Sequence, residues 1–168
     1  MINNMDRIRR QSEIDFFNLF RNAEWSTENE DIFEHIDVCI GEMKIDIKGL
    51  KRVNIKDAEV NPDIHWIEFQ NVIGKKGWIY GGASHIAFEL IDTYLLIERE
   101  VIYEFCKEKI VDRKVKSTKG VYTLYNRKGT LDVISLVLTE DLLKLPHHLI
   151  DKKEVYDNEK KFLKSANI

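Results

Sequence analysis

Between His35 and Gly49 apolar and polar residues alternate on both sides of Gly41-Glu42, and this stretch limits the fold more than any other. The alternation is the period of a half-buried strand. A glycine at the first of two central positions suits a type II′ turn. The stretch is therefore expected to be a tight β-hairpin in which Ile40 faces Met43. Ile36, Val38, Ile40, Met43, Ile45 and Ile47 then share one face, and His35, Asp37, Cys39, Lys44, Asp46 and Lys48 the other. Asp37 falls directly opposite Asp46. Like charges opposed across a ladder repel, so the pair calls for a cation, and Lys48 points the same way. Two carboxylates and an ammonium bounded by apolar residues make a candidate metal-dependent hydrolytic site.

At these residues the chain resembles the PD-(D/E)xK nuclease superfamily. That signature is an Asp on one strand, then Asp/Glu-x-Lys on the next, with an acid on a preceding helix. Asp37 corresponds to the first Asp and Asp46-Ile47-Lys48 to the D-x-K, while Ile36 stands where a Pro often precedes. In size and spacing the small archaeal-type Holliday-junction resolvases and phage-encoded endonucleases look most similar. The resemblance implies a restriction-endonuclease-like core and Mg²⁺ or Mn²⁺ held by Asp37, Asp46 and Glu13. It also implies DNA as the substrate, branched or structured DNA included. Paired cuts favour a two-fold homodimer.

The helix acid has several candidates. Met5 to about Arg21 reads as an amphipathic helix with Phe16, Phe17 and Phe20 in its stripe. Glu13 lies three and four residues before two of these, on the buried-facing side. Thr27-Glu28-Asn29-Glu30 fits a capping box, and the short helix it opens offers Glu30, Asp31 and Glu34 as rivals. Ala23 to Ser26 fits a short first strand.

A second register of the motif is also open. Ile64 to Val72 reads as a strand with Trp66, Glu68 and Gln70 on one face. Some members of the superfamily carry E-x-Q, so Asp46 with Glu68-Phe69-Gln70 is an alternative catalytic set. Asp46 belongs to both.

Nucleic-acid contacts are expected from Lys51 and Arg52 after the hairpin, and from Lys75, Lys76 and Trp78 in a glycine-rich stretch. The net charge of −3 argues mildly against a nucleic-acid protein, although local clusters matter more than the total. If the aspartates are merely solvated, the chain is instead a non-catalytic nucleic-acid- or protein-binding module on a similar sheet.

The expected fold class is α/β: a central mixed β-sheet flanked by helices, with His85–Leu90 and Thr93–Ile97 as strands and Glu98–Ile110 as a helix. A C-terminal β-hairpin is expected from Val121–Tyr125 and Leu131–Leu138, then a short helix at Thr139 ended by Pro146. Residues 1–150 are expected to form a single domain and 151–168 a charged, frayed or weakly helical tail. His147-His148 reads as a loop. Cys39 and Cys106 are too few for a disulfide framework. With a polar N-terminus and no apolar run of about 20 residues, the expectation is a cytoplasmic protein that does not enter a membrane.

Overall fold

A computed structural model describes residues 9–54 and 56–156. Its centre is a six-stranded mixed sheet built from β1 (Ala23–Trp25), β2 (Val38–Ile40), β3 (Met43–Lys48), β5 (His85–Glu89), β6 (Thr93–Glu98) and β8 (His148–Asp151), side by side in that order. Only the β3–β5 pair is parallel. A separate antiparallel pair, β4 (Ile64–Gln70) with β7 (Val133–Leu138), forms a second layer. The helices are α1 (Gln11–Phe17), α2 (Glu28–Glu34), α3 (Arg99–Lys109) and α4 (Thr139–Leu142), with a 3-10 turn at Trp78–Tyr80. The α/β class with a mixed sheet is therefore the fold observed.

Two cores sandwich the central sheet, and strand alternation decides which residue enters which. Ile45, Ile47, Ala87, Tyr94 and Leu96 point to one side, where Phe16, Leu19 and Phe20 of the α1 region cover them. Ile86, Phe88, Leu95 and Ile97 point to the other, against Ile67 of β4, Val137 of β7, Trp78 and the inner face of α3. Tyr94 to Ile97 is apolar and buried on both faces, as expected of a strand inside a covered sheet.

Two glycines are set by geometry. Gly41 has φ +57° and Glu42 has a negative φ, the pattern of a type II′ turn. Gly49 lies so close to α1 that a Cβ would come within 2.8 Å of Ser12 Oγ. The bare backbone lets α1 settle against the end of β3.

Several details differ from the sequence expectation. The helix in the described N-terminal region is limited to Gln11–Phe17; Met5–Ile8 of the expected helix lie outside the described residues. Val121–Tyr125 is not a strand; it meets β7 through isolated bridges, Tyr125 with Ile134 and Val121 with Leu136, and through Leu138 N–H donating to the Tyr122 hydroxyl at 3.4 Å. β7 pairs with β4 instead, because its inner residues complete the layer over the central sheet. His148 opens strand β8 beside β6 rather than lying in a loop. Past Asp151 the chain stays docked to Tyr156, whose ring stacks on Phe20 at 5.1 Å and whose N–H donates to Leu19 O at 2.8 Å. Among the described residues no helix is long and apolar enough to cross a membrane.

Candidate metal and phosphate site

The hairpin register is the one its sequence dictates: Val38 opposite Ile45, Cys39 opposite Lys44, Ile40 opposite Met43. At Asp37 the strands part. The Asp37 N–H still reaches Ile45 O at 2.9 Å, but the next ladder position is taken by a side chain, with Ile47 N–H donating to Asp37 Oδ2 at 2.7 Å. The backbone turns aside, held by Ser26 N–H on Asp37 O at 3.0 Å and by the Ser26 hydroxyl on Ile36 O. Alternation therefore breaks at Asp37. Ile36 enters the core opposite to the one that takes Val38, which corrects the expected single apolar face. Asp37 is not a ladder partner of Asp46 either, since β2 starts at Val38.

The fork nonetheless brings the carboxyl groups together. A pocket of about 300 Å³ is lined by Asp37, Asp46, Lys48, Glu13, Arg10, Asp31 and His35. Glu13 reaches it from the first turn of α1 and is buried, with Arg10 N–H donating to its Oε2 at 3.3 Å. Asp31 comes from α2, so one of the rival acids joins Glu13 rather than replacing it. Glu30 is instead paired with Lys44 at 2.9 Å, and Glu34 is exposed. His35 ends α2 in the left-handed region at φ 54°. Its imidazole is held below the usual histidine range by burial and then by the Lys48 charge, so it faces the pocket neutral at physiological pH. Arg10 and His35 were not singled out in the sequence. Arg10 sits one turn before Glu13, and that spacing was the signal available for it.

Asp46 is the most perturbed group. It occupies a position on β3 whose neighbour on β5 is Ile86, on the face that also buries Phe88. Burial pushes its pKa up to about 8; Lys48 opposes this, while the charge of Asp37 and a side-chain hydrogen bond to Asp37 add to it. Two carboxyl groups this close resist joint ionisation. Lys48 Nζ lies 2.7 Å from Asp46 Oδ1 and 5.1 Å from the centre of the Trp78 ring. Asp46 Oδ2 is buried, and no donor among the described residues reaches it. A hard divalent cation, which takes carboxylate oxygens, matches this donor set: an orphaned buried oxygen beside further carboxylates. Among the described residues no group of three or more His, Cys, Asp or Glu side chains is placed to hold a metal ion.

The pocket opens at Arg10, His35 and Lys48 into a broad groove of about 1370 Å³. Eight of the groove's lining residues are Lys or Arg against two acids, Asp57 and Glu68. Lys51 and Arg52 are among the cations, and Lys119, Arg127 and Lys128 join them from far along the chain. The Lys51 ammonium is held below the usual lysine range by burial and then by Arg10, Lys48 and Arg127. Arg127 is anchored by Asp132, which is fully buried and also accepts from Arg127 N–H at 3.0 Å and Thr130 Oγ1 at 2.6 Å. Lys119 Nζ ties the far bank to Val53 O at 3.0 Å.

The other sequence candidates fall elsewhere. Glu68 lines the groove but not the carboxylate pocket. Gln70 lines neither, and its amide donates to Leu131 O at 2.5 Å. β4 lies in the second layer, not beside β3, so Glu68 and Gln70 do not continue the Asp46 strand. Lys75 and Lys76 sit on an exposed turn outside the groove, with Lys76 over the Tyr80 ring at 5.9 Å. Trp78 is not an open stacking surface: it is buried against Phe88 and supports Lys48.

No protein-family model, no curated protein and no solved structure matches this chain.

Proposed function

We propose that the chain is a metal-dependent endonuclease that hydrolyses phosphodiester bonds in DNA on a restriction-endonuclease-like core. One observation carries the reading: the Asp37–Asp46 pair, with an orphaned Asp46 oxygen and Lys48 alongside, opens into a groove walled by cations. Asp37, Asp46 and Glu13 would hold Mg²⁺ or Mn²⁺. Such an ion lowers the pKa of bound water and offsets charge on a scissile phosphate. The chain's own residues supply the rest. Asp37 is fixed in direction by the Ile47 N–H, so its carboxylate needs little reorganisation. Lys48, on its Trp78 support, is positioned to offset charge developing on phosphate oxygens. Arg10, Lys51 and Arg52 would hold the phosphates flanking the scissile one. DNA that is branched or otherwise distorted suits a groove this open.

The test is incubation of the protein with supercoiled, linear, single-stranded and four-way-junction DNA in Mg²⁺, Mn²⁺, Ca²⁺ or chelator. Cleavage is expected with Mg²⁺ or Mn²⁺, little with the larger Ca²⁺, and none in chelator. Full activity in excess chelator would remove the metal from the account. No cleavage of any substrate, with retained binding, would leave a non-catalytic DNA-binding module.

A further inference from the structure

The groove has a floor as well as walls, and the floor is aromatic. β4 turns His65 and Ile67 into the core, so period-two alternation gives the opposite face to Ile64, Trp66 and Glu68, all lining the groove. Tyr125, brought over β7 by its bridge to Ile134, lies beside Trp66 with ring centres 6.4 Å apart and planes 29° apart. Ile134, the bridge partner of Tyr125, and Val60 also line the groove. Neither ring is fully buried, so each leaves area to be covered.

We propose that this Trp66–Tyr125 floor stacks unpaired bases, so that the substrate of the groove is single-stranded DNA or a single-stranded segment of a larger DNA. A duplex would present its phosphates to the cationic walls but keep its bases stacked on one another, away from the rings. A single strand offers both groups at once: phosphates for Lys51, Arg52 and Arg127, and base faces for Trp66 and Tyr125. Stacking on aromatic side chains within a cationic channel is sequence-tolerant, because every base has a π-face. The inference rests on the nuclease reading, for which it supplies the substrate class.

The experiment measures binding in chelator, where no turnover occurs, by fluorescence anisotropy. The probes are a labelled oligo(dT) of about 12 nucleotides, an abasic strand of equal length, and a duplex of equal length. The oligo(dT) is expected to bind at least about tenfold more tightly than either of the others. Trp66→Ala should remove that preference and leave abasic-strand binding within about twofold, while Trp66→Phe should keep most of it. Equal affinity of wild-type protein for oligo(dT) and the abasic strand would overturn the proposal, and so would preference for the duplex. The wild-type comparison needs no variant, so a misfolded Trp66→Ala protein does not blunt it. Base-dependent binding without cleavage in Mg²⁺ or Mn²⁺ would sink the nuclease reading and spare the stacking floor; cleavage without base dependence would do the reverse.

Discussion

Asp46 and Asp132 are both buried aspartates, and the protein treats them in opposite ways. Asp132 is enclosed by donors: the Arg127 guanidinium and N–H, the Thr130 hydroxyl and the Asn126 amide. Burial alone would raise its pKa, but the Thr130 and Arg127 hydrogen bonds, with the Arg127 charge, bring it below the ordinary value. Among the described residues Asp46 has one ammonium on Oδ1, no donor on Oδ2, and a second carboxyl group for a neighbour. A buried carboxylate surrounded by donors organises a loop; one without them holds its proton unless a cation takes its place. The first holds Arg127 in the groove wall, and the second points to a ligand.

The largest expected effect separates the two by activity. Asp46→Asn keeps the shape but loses the charge that would hold a cation. Cleavage should fall by about a thousandfold or more, about 4 kcal/mol of barrier, while the metal-free protein is unharmed or is stabilised by about 1–3 kcal/mol, because Asn is buried there without having to take up a proton. Cleavage kinetics and urea unfolding read both quantities. Robust metal-dependent activity in Asp46→Asn would break the comparison.

Lys48→Ala comes next, at about a hundredfold in rate, about 2.7 kcal/mol, against tenfold or less, about 1.4 kcal/mol, for Gln70→Ala. Single-turnover cleavage ranks them, and the reverse order would move the chemistry to Glu68 and Gln70. Asp132→Ala should lower stability by about 2–3 kcal/mol in urea unfolding, because it strips the partner from a set of charge-assisted hydrogen bonds. Its cleavage rate, measured well below the unfolding midpoint, should change by less than about tenfold.

What the sequence revealed and concealed follows the same division. Local chemistry was legible: the Gly41-Glu42 turn, the Ile40–Met43 register and the Thr27–Glu30 capping box all depend on neighbours in the chain. Asp37 and Asp46 could be paired because a hairpin register is local. The departure of Ile36 could not be read, since it depends on a carboxylate replacing a backbone partner at Ile47. The β4–β7 pairing joins distant segments, so Val121–Tyr125 looked like the nearer partner. The groove was concealed for a related reason. Its cations come from segments as far apart as Lys51 and Lys128, and a net charge of −3 hides their concentration on one side.

A pair of opposite pH slopes separates the two aspartates by stability alone. Asp46 has its folded pKa, about 8, above the ordinary carboxylate value. The folded state therefore binds the proton more tightly, and this stabilisation is fully present below about pH 4 and lost as pH rises through about 8. Asp132 has its folded pKa lowered, so its contribution is present above the ordinary value and lost as pH falls through the depressed one. In metal-free protein, Asp46→Asn should flatten the fall in Tm between about pH 4 and 8, and Asp132→Asn the fall on the acid side of the ordinary carboxylate value. Identical curves for both variants would mean that the two environments do not differ as described.

Whether the Asp46 oxygen without a donor takes a divalent cation is read by calorimetric titration of Mn²⁺ into the chelator-stripped protein near pH 7. The wild-type protein is expected to bind with proton release, since Asp46 must ionise to accept the ion. Binding should be unchanged in Asp132→Asn and at least about tenfold weaker in Asp46→Asn. Absence of Mn²⁺ binding by wild-type protein, or equal binding by Asp46→Asn, would contradict a cation at that oxygen.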